Sequence, residues 1–217
     1  FGKPLSSALT SGGDGIALLL FVYQGQKFVE AVSNVLTRDD LVQSHRWAVF
    51  ESSVGMLAAG FAAVQGLSVT ILQAHIEQMD SAAGKLNTMS RLGRWAGIAG
   101  DAAFIFGGLA AAIDLGKHSQ QWGKALGEGD PQAMAATTLQ IAGDGILVGT
   151  NTWGAKHTTS IISQILKKPA ELRALAWAEA SPRLLSIAAR ANLVGLIGTA
   201  LQLTGEGLYN YFNLDAL

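Results

Sequence analysis

The sequence predicts an all-α chain, a multi-helix bundle built around hydrophobic helical hairpins, and three observations carry that prediction. Apolar residues recur at helical spacing, as in Ile16, Leu19, Leu20, Tyr23, Phe28, Ala31 and Val35. No segment alternates at period two for long enough to form a strand. The 217 residues include only four prolines, and the 26 glycines sit inside apolar runs rather than in turn clusters. Glycine in that setting suits close contacts between helices of the kind found in membranes.

Taken in order, the first helical pattern runs over residues 14–37, and Thr37 or Asp39 supplies a side-chain oxygen to cap the next helix. That helix starts amphipathic, with Arg38, Asp39, Asp40, His45, Arg46 and Glu51, and then loses all charge over residues 52–74. Those 23 uncharged residues exceed the length of about 20 that spans a bilayer as a helix. A polar break covers 75–94. The apolar segment 95–115 is interrupted by Asp101 and Asp114, and the connector 116–131 carries Lys117, Lys124, Glu128 and Asp130. Asp130-Pro131 starts a helix, because proline suits the first turn. The segment 132–155 is interrupted only by Asp144. Together these two segments predict a hydrophobic hairpin over 95–155. Residues 156–190 hold six basic and two acidic side chains, a balance of +4, and Lys168-Pro169 and Ser181-Pro182 are expected to mark helix boundaries. Residues 191–205 are uncharged, followed by Glu206 and the aromatic Tyr209, Tyr211 and Phe212.

Composition narrows the function classes. Hydrophobic residues make up 49% and charged residues 14%, against about 25% charged in an ordinary soluble domain. The mean hydropathy is +0.30. Such a chain lacks the charge to cover a water-facing surface, so its apolar faces are expected to meet lipid or a shielding partner. A net charge of −1 gives no long-range attraction to nucleic acid. The absence of cysteine excludes disulfides and thiolate metal sites. His45, His75, His118 and His157 are scattered without zinc-like pairing and read as surface or interface histidines. There is no Gly-x-Ser-x-Gly elbow and no Walker loop, and Gly143-x-Gly145-x-x-x-Gly149 lacks the preceding strand of a dinucleotide loop. No nucleophile stands beside a base, so no enzyme, cofactor or metal is expected. Residues 15–23 behind Lys3 resemble a signal segment, but no small-residue cleavage site follows. Residues 1–217 therefore read as a single helical membrane-active domain, expected to be part of a longer polypeptide.

One short element recurs: a carboxyl between small residues beside an apolar run. It occurs as Gly13-Asp14-Gly15, Gly100-Asp101-Ala102, Gly143-Asp144-Gly145 and Gly205-Glu206-Gly207. An ionised carboxylate in hydrocarbon costs roughly 2.5–3.5 kcal/mol, and small neighbours let another helix approach it. Asp14, Asp101, Asp144 and Glu206 are thus candidate insertion or pore acids, with helix-end capping as the plainer alternative. Asp101 and Asp144 are expected to face each other or a shared aqueous path. Gly93-x-x-x-Gly97 and Gly145-x-x-x-Gly149 have the spacing of helix contacts, and the second has the more apolar context. Trp47, Trp95, Trp153, Trp177 and Tyr209 lie near the ends of apolar runs, which fits either an interfacial belt or core packing. Lys156, Lys167, Lys168 and Arg173 are candidate contacts for anionic lipid headgroups, or else the solvated face of a helix pair.

The closing stretch, Ala189-Arg190-Ala191-Asn192-Leu193-Val194-Gly195-Leu196 through Glu206-Gly207-Leu208-Tyr209-Asn210-Tyr211-Phe212-Asn213-Leu214, resembles the C-terminal membrane region of VasX-like type VI secretion effectors. Ala111-Ala112-Ile113-Asp114 and the Gly143-Asp144-Gly145 hairpin are similar in style. The resemblance implies an antibacterial toxin delivered into a neighbouring cell, where it inserts into the inner membrane and dissipates the potential. It also implies a cognate immunity protein, an adaptor or secretion-tip partner, and target membrane lipids as the surface acted on. The expected function is pore formation, with self-association left open. The expected architecture is colicin-like in logic, a hydrophobic hairpin wrapped by amphipathic helices. A constitutive multi-span membrane protein and a soluble docking domain for a secretion partner are the alternatives.

Overall fold

A computed structural model describes residues 81–214 together with Val54. The predicted helix over 14–37, Asp14, Trp47 and nearly all of the uncharged segment 52–74 lie outside the described residues; Val54, within that segment, is helical and buried. The described chain is all-α, with no strand among the described residues. Its three helices are α1, Ala82–Glu128; α2, Pro131–Leu166; and α3, Ala170–Leu214.

Local chemistry fixes the ends. Ser81 caps α1 by accepting from the Gly84 amide at 3.0 Å. The chain leaves α1 through Gly129 at φ 69°, a left-handed conformation that glycine adopts without steric cost. The Gly129 and Asp130 amides return to the carbonyls of Leu126 and Ala125. Asp130 then caps α2, its Oδ1 accepting from Gln132 and Ala133 at 3.0 Å each, with Pro131 in the first turn. Predicted from the sequence, this start is where the structure places it.

Two predicted boundaries differ. The polar connector 116–131 is mostly helix, because α1 runs on to Glu128. The hairpin therefore turns at 129–130 rather than over a long linker. Ser181-Pro182 is also not a boundary, since Pro182 lies inside α3. Proline has no amide to offer the carbonyl four residues back, which here belongs to Ala178. The Ser181 hydroxyl donates to that same carbonyl at 2.8 Å, and Ser181 is buried. Ser181→Ala should therefore leave a buried acceptor unpaired and lower stability by about 1–2 kcal/mol. Chemical denaturation of the two proteins would measure the difference.

Close contacts define the packing. Asp101 opposes Thr159, Gly107 meets Asn151 and Gly154 lies under Phe104, so α1 and α2 are antiparallel. Gly143 meets Gly198 and Gly205 meets Ala136, so α2 and α3 are antiparallel too. Gly93 meets Trp177 and Gly97 meets Leu184, which makes α1 and α3 parallel. At one end of the bundle Ala96, Ile165, Ala176, Trp177 and Leu184 form an apolar core, flanked by Ile161, Ile162 and Leu185.

The interior changes character along α2. Its inward seam steps by three and four residues through Thr137, Gln140, Asp144, Leu147, Asn151, Gly154, Thr158, Ile161 and Ile165. Such a seam is normally apolar. Here Thr137, Gln140, Asp144 and Thr158 are buried. The outer faces are the reverse: Trp95, Ile98, Ile105 and Leu109 on α1, and Leu193, Val194, Ile197 and Leu203 on α3, are exposed.

Candidate functional site

The centre of the polar seam is Asp144, which is 0% exposed. A carboxylate so far from water is costly unless it is paired and hydrogen-bonded. Its partners come from the two flanking helices. His118 on α1 brings Nδ1 within 2.6 Å of Oδ2, and its side chain remains 18% exposed. Gln202 on α3 donates its Nε2 to Oδ1. With the carboxylate ionised, the facing imidazole Nδ1 carries the proton. One residue from each helix thus closes a three-membered polar layer.

Backbone proximity makes this layer possible. A Cβ on Gly143 would lie 2.5 Å from the Gly198 carbonyl oxygen and 2.9 Å from the Gln202 amide nitrogen. Only glycine at 143 lets α3 come near enough for Gln202 to reach the neighbouring Asp144. One turn before Asp144, Gln140 is buried against Gly205, and its Oε1 has no hydrogen-bond partner among the described residues. Thr137 returns its hydroxyl to the Ala133 carbonyl at 2.7 Å.

Asp101 and Asp144 do not face each other, although that is the first of the two arrangements expected from the sequence. Asp101 accepts from Thr159 at 2.8 Å, whereas Asp144 lies beside His118. The 17 helical steps of α1 from 101 to 118 put the two levels about 25 Å apart along the helix. Glu206 is exposed near the far end of α3, although Gly205 beside it is buried. Of the small–acid–small elements described, the Gly143-Asp144-Gly145 element alone places its acid fully inside the bundle.

The glycines also divide differently from their apolar context. Gly93 and Gly97 stand in a helix contact: a Cβ on Gly93 would come 2.1 Å from the Trp177 carbonyl oxygen, and one on Gly97 would come 2.9 Å from the Trp177 ring. Gly145 and Gly149 have open space where their Cβ atoms would be, so they take no part in close packing. The close-approach glycine of that segment is Gly143. Trp177 is buried, while Trp95 is 53% exposed.

Among the basic candidates, Lys156, Lys167 and Lys168 are exposed. Arg173 is exposed too, but its guanidinium is occupied. Nε donates to the Lys168 carbonyl at 3.0 Å and Nη2 to the Leu166 carbonyl at 3.2 Å. It serves the Leu166 carbonyl at the C-terminus of α2, which has no helical partner of its own, and the Lys168 carbonyl in the turn that follows. No group of three or more potential metal ligands occurs among the described residues.

Sequence reasoning missed His118, Gln140 and Gln202. His118 reads as a surface or interface histidine when taken alone, and it is instead a partner of Asp144. The heptad spacing of α2, traced through 137, 140, 144, 151 and 158, is the signal that would have found the polar seam. By length and composition two described helices are able to cross a membrane, α1 and α3, rather than the α1–α2 pair of the predicted hairpin. Only 17% of the most apolar stretch of α3 is buried, against 39% for α1, so α3 is not the core helix of this bundle. The chain matches no protein-family model, and no curated protein and no solved structure matches it.

Proposed function

We propose that this chain is the membrane-inserting part of a pore-forming antibacterial toxin, acting at the inner membrane of a target bacterium and dissipating its potential. One observation carries the reading. Two long helices turn apolar faces outward, while the helix between them turns Thr137, Gln140, Asp144 and Asn151 inward. That is the distribution a bundle needs when lipid surrounds it and polar groups must be satisfied inside. At about 1.5 Å per residue, α1 and α3 each exceed the roughly 30 Å hydrocarbon core, so only their apolar portions sit within it.

The seam of α2 supplies the polar lining of the path. Asp144, held by His118 and Gln202, is its only acidic member and gives the path a preference for cations. The resemblance of the closing stretch, 189–214, to VasX-like effectors is what suggests delivery by a type VI secretion system, and with it an immunity protein in the producer and an adaptor at the secretion tip. Self-association of several copies would widen the path beyond what the three described helices enclose.

The test is potential loss in vesicles of anionic lipid carrying a potassium gradient. The full chain is expected to discharge them in a dose-dependent way, with Asp144→Asn reducing the preference for potassium over chloride. Intact gradients in the presence of folded, vesicle-bound protein would overturn the pore reading.

A further inference from the structure

Beside the polar seam, α2 and α3 enclose a groove of about 350 Å³ on the outer surface. Arg183 and Arg190 on α3 line it, with His157, Ser160 and Gln164 on α2 and Trp153 at its end. None of the lining residues is acidic. Neither arginine has an acidic partner among the described residues. Arg173, by contrast, spends its donors on helix carbonyls. The two guanidinium groups lie seven residues apart on one helix, two turns along the same face.

This groove meets a second one of about 450 Å³, lined by Gly149, Ala191, Leu193 and Val194. Trp153 and Arg190 belong to both. Trp153 packs against His157 at a ring separation of 4.9 Å, which fixes it at the junction. The second groove stays open partly because Gly149 has no side chain, with nothing within 4 Å of where a Cβ would be. A cationic, hydroxyl-bearing groove therefore continues into an apolar one.

We infer that this paired groove binds one anionic phospholipid, its phosphodiester headgroup held by Arg183 and Arg190 and an acyl chain lying along Gly149, Leu193 and Val194. Guanidinium forks suit phosphate oxygens, and tryptophan favours the level where headgroup meets hydrocarbon. A soluble phosphate ester would use the first groove only. The inference rests on the membrane reading, but binding and ion flow are separate measurements. Lipid binding without discharge of vesicles would sink the pore and leave the site.

The test compares partition of the full chain onto phosphatidylcholine vesicles with and without phosphatidylglycerol. Arg183→Gln with Arg190→Gln is expected to weaken binding to the anionic vesicles by roughly tenfold, whereas Lys85→Gln with Lys124→Gln, at exposed positions away from the groove, removes the same charge and costs less than threefold. Gly149→Leu, which fills the apolar groove, is expected to weaken binding severalfold while helicity stays intact. Equal losses from the two charge-removing pairs would overturn the site, as would full displacement by glycerol phosphate at the lipid's own concentration. Should the glutamine pair lose helicity, Arg183→Lys with Arg190→Lys decides. A drop in selectivity for phosphatidylglycerol supports the guanidinium site, and unchanged selectivity overturns it.

Discussion

Asp144→Ala is expected to destabilise the bundle by about 3 kcal/mol. Removing the carboxylate strips His118 and Gln202 of a common acceptor inside the bundle and leaves a void at a position that is 0% exposed. The figure sits at the lower end for a broken buried pair because the His118 side chain keeps 18% of its exposure and can partly rehydrate. Asp144→Asn preserves volume and still accepts from Gln202, so its cost should be about 1–2 kcal/mol. Denaturant unfolding of the three proteins, followed by helical circular dichroism, separates these values. If alanine costs no more than asparagine, the three-helix polar layer does not hold the bundle together.

The second large effect is a contrast between glycines. Gly93→Ala and Gly143→Ala each push a methyl group against backbone: the Trp177 carbonyl at 2.1 Å for the first, and the Gly198 carbonyl at 2.5 Å for the second. Backbone cannot swing aside as the tip of a side chain can, so the helices must separate. A loss of about 2–3 kcal/mol is expected for each. Gly145→Ala meets nothing and replaces the poorer helix former, so it should gain up to about 1 kcal/mol. Opposite signs at 143 and 145, two residues apart on one helix, would be difficult to obtain from helix propensity alone. A shared sign would contradict the packing of α2 on α3.

The helical class was legible because periodicity, the absence of alternation and the Asp130-Pro131 start all act within one or two turns of chain. Glycine contacts were not, because which glycine meets a neighbour depends on the rotation of each helix. Gly145 and Gly149 have the apolar surroundings, but Gly143 has the facing helix. The same holds for His118, whose local sequence says nothing of a partner 26 residues away. By sequence alone Pro182 marks a boundary, since proline ordinarily ends a helix. The compensating Ser181 hydroxyl stands next to it in sequence, yet its effect shows only once the Ala178 carbonyl is placed. Charge alone makes Arg173 either a headgroup contact or part of a solvated face, and its geometry as a helix-end donor belongs to the turn at 167–169.

The sequence contains no cysteine, so one introduced thiol reports a single position. L193C, I197C and I105C, each labelled with an environment-sensitive fluorophore in the full chain and mixed with anionic vesicles, place probes on the exposed apolar faces of α3 and α1. K124C and E128C place them on exposed polar positions near the C-terminal end of α1. The first three labels are predicted to shift to the blue and to be quenched by nitroxides on the acyl chains, while the last two stay in water. Labels at 193, 197 and 105 that remain in water on vesicle-bound protein would contradict insertion of α1 and α3.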